Sequence, residues 1–147
     1  MNGIDKILFA TDFSGPSELA CKYAVTLAKQ FDAKILVVHV INELEFPIHG
    51  LFPDHYVESF KKEMAEASEK MMADYCSRNI KDFENYESVI VTGIPFKKII
   101  QKAETEHASL IVVGTHGRTG LEHVVMGSTA EKIVQHACCP VLSIRPC

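Results

Sequence analysis

The segment from residue 114 to 129 reads GTHGRTGLEHVVMGST and holds four of the chain's eight glycines, at Gly114, Gly117, Gly120 and Gly127. Glycine costs chain entropy, so a cluster of it answers a backbone need. Backbone that must turn its N–H groups toward one point around an anion has that need. Glycine removes the Cβ that blocks close approach and permits positive φ. The segment follows an apolar run, SLIVVG from Ser109, and leads into a helical pattern opening at Ser128. A helix start adds four unpaired amides and a partial positive charge, which suits phosphate. Ser128 with Glu131 three residues on has the spacing of a capping box, so Ser128 is expected to be the N-cap, and phosphate contact there is compatible with capping. Thr115 to Gly127 is long for a strand-to-helix connection, which typically takes about 2–6 residues.

A second chemical position lies near the N-terminus, in ATDFSGPS. Asp12 is expected at the carboxyl end of a first strand. If that strand neighbours the one ending at Gly114, Asp12 faces the glycine segment across the crevice where open α/β sheets bind ligands. There it accepts a ribose hydroxyl or helps hold Mg²⁺ on phosphates. The other reading is turn chemistry alone: Asp12 orders the entry to a helix, with Ser14 capping and Pro16 in the first turn.

Other signatures are missing. No GxGxxG follows the first strand and no GxxxxGK[ST] occurs, so neither a dinucleotide fingerprint nor a P-loop lysine is present. Arg118 is the nearest cation, inside the segment. With no dedicated phosphate lysine and no evident water-activating base, fast phosphoryl transfer is not expected. The seven histidines lack HExxH or Cys/His ligand spacing, so no transition-metal site is expected. His39, within an apolar run, reads as a hydrogen-bonded core residue. Met64, Met71, Met72 and Met126 read as core or interface filler, and no GxSxG elbow marks a hydrolase. The five cysteines lack CxxC spacing and fit free thiols in a reducing cytoplasm, and adjacent Cys138 and Cys139 are expected as thiols rather than a strained disulfide.

These residues need a scaffold. Five short apolar runs recur: KILFAT from Lys6, KILVVHV from Lys34, SVIVT from Ser88, SLIVVG from Ser109 and PVLSI from Pro140. They are continuous rather than alternating, as strands buried on both faces are. Helical periodicity lies between them. Leu19, Tyr23, Leu27 and Phe31 share a face with Ala20, Ala24 and Ala28 beside it. A longer helix is expected at about residues 55–79, a third around Phe96 to Ala103 and a fourth around Ala130 to Ala137. The alternation predicts a layered α/β domain with right-handed crossovers. At 147 residues a single domain, 1–147, is expected, with residues 42–54 (NELEFPIHGLFPD) as an irregular surface flap. A net charge of −4 offers no footprint for nucleic acid or an acidic membrane surface, and no apolar run is long enough to span a bilayer. The first residues lack the pattern of a secretion signal.

Four stretches make the chain resemble the universal stress protein family: KILFATDFS, VVHV, ASLIVVGTHGRTG and MGSTAEKIVQHACCPVLSIRP. The glycine segment matches that family's ATP-binding pattern, Gly-x2-Gly-x9-Gly-Ser/Thr, through Gly114, Gly117, Gly127 and Ser128. The resemblance implies a Rossmann-like, adenine nucleotide alpha hydrolase-like fold: an open five-stranded parallel sheet, order 3-2-1-4-5, with helices on both faces. It implies ATP or another adenine nucleotide as ligand, with Mg²⁺. Carried over by position, Asp12 matches the acidic residue after strand 1 and Val40 the residue whose backbone meets adenine. Gly114, Gly117, Gly127 and Ser128 match the phosphate positions, and Thr11, Thr115, Arg118 and Thr129 complete the candidate binding set. One departure stands out. Where ATP-binding members often continue with Val and then Ser or Thr, this chain has Thr129 and Ala130. The hydroxyl has moved one place, about 100° around the helix, which makes AMP, ADP or weaker ATP binding easier to accommodate. The implied edge position of the last strand, 141–145, invites pairing with a second copy, and the family's two-fold pairing implies a homodimer. The implied function is a cytoplasmic, nucleotide-dependent stress protein with at most slow ATP hydrolysis. The alternative is a dimeric interaction module of the same fold that does not use nucleotide.

Overall fold

A computed structural model describes residues 3–115 and 126–147. Strands β1 (Lys6–Ala10), β2 (Lys34–Asn42), β3 (Tyr86–Gly93), β4 (Leu110–Gly114) and β5 (Val141–Ile144) form one sheet in the order β3-β2-β1-β4-β5. Every pairing is parallel. Helices α1 (Gly15–Phe31), α2 (Asp54–Asn79), α3 (Pro95–Thr105) and α4 (Ser128–His136) connect the strands. The expected architecture and strand order are those observed.

Burial explains the strand sequences. Ile7, Leu8 and Phe9 of central β1 are fully buried, as are Ile35, Val37 and Val38 of β2 and Ile111 and Val112 of β4. Alternate residues enter opposite cores. Ile7, Phe9, Ile35, Val37 and Val112 pack under α1 and α2, whereas Leu8, Leu36, Val38, Ile111 and Val113 pack under α3 and α4. Two apolar faces need a continuous apolar run. β3 is an edge strand and correspondingly mixed, with Glu87, Ser88 and Thr92 exposed.

Helix α1 buries its small residues. Ala20, Cys21, Ala24 and Ala28 face the core, while Tyr23 and Phe31 are about half exposed at 49% and 48%. The large residues that shared a face in the sequence therefore flank the contact rather than fill it. Small side chains let the helix lie close to β1 and β4, and Leu19 and Leu27 pack at its margins. The flap holds one 3-10 turn, Glu43–Glu45, capped by Asn42 Oδ1, which accepts from Leu44 N–H at 3.0 Å.

All five cysteines are free. Cys21 and Cys76 are buried, and Cys138 and Cys147 are exposed. Burial is the main reason the Cys21 thiol is pushed up from 9.0 to about 12, and it raises Cys76 as well. A folded-state pKa above the unfolded one means stability that is whole below the unfolded value and lost as pH rises. Cys21's contribution is therefore complete below pH 9.0 and declines toward about pH 12. At pH 8 a chromogenic disulfide reagent should label Cys138 and Cys147 in the native protein, and Cys21 and Cys76 only as urea unfolds it. Prompt native-state labelling of Cys21, read by peptide mass, would contradict this packing.

Candidate functional site

The chain leaving β1 turns sharply. Phe13 adopts a left-handed conformation, φ 66°. Asp12 Oδ1 accepts from Ser14 N–H at 3.0 Å, and Thr11 Oγ1 accepts from Phe13 N–H at 3.0 Å. Ser14 then caps α1, its side chain accepting from Ser17 N–H, with Pro16 in the first turn. The turn chemistry anticipated for Asp12, Ser14 and Pro16 is thus all present. Phe13 stacks on His39 at 4.1 Å between ring centroids, and His39 Nδ1–H donates to Thr11 O at 2.8 Å. His39 is the hydrogen-bonded core residue expected.

Beneath this turn lies a satisfied hydroxyl network. Ser17 O–H donates to Ser14 O at 2.8 Å. Its one hydrogen is then used, so Thr11 Oγ1 at 2.9 Å and Tyr75 OH at 3.0 Å must be its donors. Burial raises the Tyr75 phenol, opposed by its hydrogen bonds to Ser17 and Thr11.

Across the sheet, β4 ends at Gly114 and α4 begins at Ser128. Thr115 N–H donates to Ile144 O at 2.9 Å, and Gly127 N–H donates back to Thr115 O at 2.6 Å. The two ends of the long connection are therefore stapled together. Glycine serves here by close approach and not by positive φ: Gly127 has φ −66°, and a Cβ on it would stand 3.1 Å from Thr115 O.

The helix start differs from expectation. The N-cap is Gly127, Ser128 is the first helical residue, and no side chain caps α4. The Ser128–Glu131 capping box is not formed. The reason is the staple: holding Gly127 against Thr115 sets the helical dihedrals one residue earlier than the Ser-x-x-Glu spacing suggests. The first intrahelical bond runs from Glu131 N–H to Gly127 O at 3.0 Å, so the amides of Ser128, Thr129 and Ala130 precede the ladder.

Asp12 and this uncapped helix start both line one cavity of about 510 Å³ at the carboxyl ends of β1, β2 and β4. Thr11, Asp12, Val40, Gly114, Thr115 and Gly127 reach it, together with Ser128 and Thr129. Gly117 and Arg118 lie outside the described residues, as do His116, Gly120 and His123. No motif marked the opposite wall, which is Met64, Ala67, Ser68 and Met71 of α2 with Asn42 and Glu45 of the flap. Met64 and Met71 thus line the cavity, whereas Met72 is core as expected. Their i, i+3, i+4, i+7 spacing was readable, but not the crevice over which α2 leans. Among the described residues lining the cavity there are two carboxylates, Asp12 and Glu45, and no Lys or Arg. The described residues contain no group of three or more His, Cys, Asp or Glu able to hold a metal ion.

An open parallel α/β sheet with a cavity at its switch point and an uncapped helix start facing it is the architecture of a nucleotide-binding-type fold. The comparisons narrow this class. Residues 3–145 match the Universal stress protein family. Universal stress protein MJ0531 of Methanocaldococcus jannaschii is 36% identical over 145 residues, covering 95% of this chain and 81% of that one. The solved structure of MJ0577, from the same organism, superposes with a TM-score of 0.87 at 27% identity, covering 99% of both chains. A universal stress protein from Archaeoglobus fulgidus, solved in complex with dAMP, shares the fold with a TM-score of 0.67 at 24% identity, over 95% of this chain and 97% of that one. The chain belongs to the universal stress protein family.

The staple makes a prediction. Gly127→Ala should lower stability by about 1 kcal/mol, at the low end for forced overpacking, read as a lower urea midpoint at unchanged slope. A variant as stable as the parent would remove the close-approach argument.

Proposed function

We propose that this chain is a stress-response protein that binds ATP or another adenine nucleotide, with Mg²⁺, in the cavity between Asp12 and the start of α4. The observation that carries this reading is the uncapped α4 N-terminus facing a cavity of about 510 Å³. That volume falls within the usual span for ligand pockets, roughly 300–1,000 Å³. Three amides, the helix dipole and the Ser128 hydroxyl meet the phosphates. The sequence pattern alone assigns Gly117 and Arg118 to the same phosphates. Asp12, which lines the cavity, accepts a ribose hydroxyl or a Mg²⁺-bound water. The Archaeoglobus protein's complex with dAMP supports an adenine nucleotide on this fold.

The sequence offers no evident water-activating base, so hydrolysis is at most slow and the bound nucleotide acts as a regulator. The protein works in the cytoplasm as a homodimer, joined through the edge strand β5 in residues 141–145. β5 occupies a sheet edge, where unpaired backbone groups favour pairing with another copy.

Calorimetric titration with Mg-ATP tests the nucleotide. The wild type should bind, and Ser128→Ala should weaken binding about tenfold, as loss of a charge-assisted hydrogen bond of about 1.5 kcal/mol does. No heat of binding at millimolar ATP would leave the same fold as an interaction module independent of nucleotide. Sedimentation should give twice the 16.4 kDa chain mass, and a stable monomer at micromolar concentration would refute the dimer.

A further inference from the structure

The α2 wall of the cavity carries a polar group that the fold itself does not use. Ser68 is only 6% exposed and lines the cavity. The other buried polar side chains of the described residues are Thr11, Ser17, His39 and Thr115, and all make hydrogen bonds within the protein. Ser17 is saturated, its hydrogen and both lone pairs taken. Ser68 makes no hydrogen bond, yet no fully buried side-chain oxygen of the described residues lacks one. Its hydroxyl is therefore the accessible part of an otherwise enclosed residue, and the opening it borders is the cavity.

Its surroundings define what it meets. Met64, Ala67 and Met71 lie on the same face of α2 and line the same cavity. They make an apolar, deformable surface suited to the face of a flat ring. α2 packs over β2 and β3, whereas the anion-binding helix start follows β4. β1 lies between β2 and β4, so these two ends of the cavity stand about 10 Å apart at ordinary strand spacing. A ligand with its phosphates on α4 extends its other end toward α2. We infer that Ser68 is a specificity-determining residue that hydrogen-bonds the edge of the nucleobase while Met64 and Met71 cover its face. This rests on the nucleotide reading above. A hydroxyl both donates and accepts, so it suits a purine edge carrying both kinds of group.

The test compares ATP with ribose 5-triphosphate, which keeps the phosphates and sugar and lacks the base. In Ser68→Ala, ATP affinity should fall about fivefold to tenfold, the usual worth of one hydrogen bond, while ribose 5-triphosphate binding stays as in the wild type. The thermal midpoint of the ligand-free variant should be no lower, because Ser68 makes no hydrogen bond within the protein and alanine keeps its Cβ packing. Ser68→Leu should occlude the base end, abolishing ATP discrimination over the base-free ligand. Unchanged ATP affinity in Ser68→Ala, or a parallel loss for the base-free ligand, overturns the role of Ser68 alone. A wild type that binds neither ligand overturns the nucleotide reading and this inference with it.

Discussion

The hydrogen bond from Gly127 N–H to Thr115 O, 2.6 Å long, is the contact on which the site depends. It brings the start of α4 back to the end of β4 after a connection of a dozen residues. Ala130 and Ile133 pack α4 onto the sheet, and this bond fixes where its first turn stands against the end of β4. With it, three amides sit at the switch point, across from the turn after β1. The contact is also restrictive. A side chain on Gly127 would crowd the carbonyl it bonds, and α4 must begin with an uncapped turn. A protein that only needed a stable helix there would cap it with Ser128. The uncapped start leaves donors for something else.

On the opposite side of the crevice the polar groups are arranged by the reverse logic. Thr11, Ser17 and Tyr75 satisfy one another, and His39 is held by Thr11 O and stacked on Phe13. These bonds hold the left-handed Phe13 and thereby the direction of Asp12. A closed network of this kind rigidifies what it touches. The cavity is therefore bounded by a rigid polar turn on one side and by the apolar face of α2 on the other. Such a mixture, mostly apolar with a few fixed polar groups, is typical of small-molecule sites.

Much of the fold was legible because burial on both faces leaves strong marks. The runs at Lys6, Lys34 and Ser109 are apolar without alternation, and each became an inner strand. The α1 pattern was visible, but its packed face was misleading: period alone picks out Leu19, Tyr23, Leu27 and Phe31, whereas close approach to the sheet selects the alanines. Gly114, Gly127 and Ser128 were legible through their spacing and Asp12 through its place after the first strand, and all four line one cavity. Ser128's place in the helix was not. Capping-box spacing is local, and a long-range backbone contact overrode it.

The sequence by itself determined the layered α/β class, the order of elements along the chain and the two segments whose backbones meet at the crevice. These follow from local propensity and apolar periodicity, which act over a few residues. Only the tertiary structure decided that Thr115 and Gly127 touch, that α4 starts without a cap, and that Ser68 of α2 borders the same cavity as Asp12. Residue 68 shares no periodicity or motif with residues 12 and 128. Their meeting depends on how two helical layers close over one sheet, a property of the packed whole.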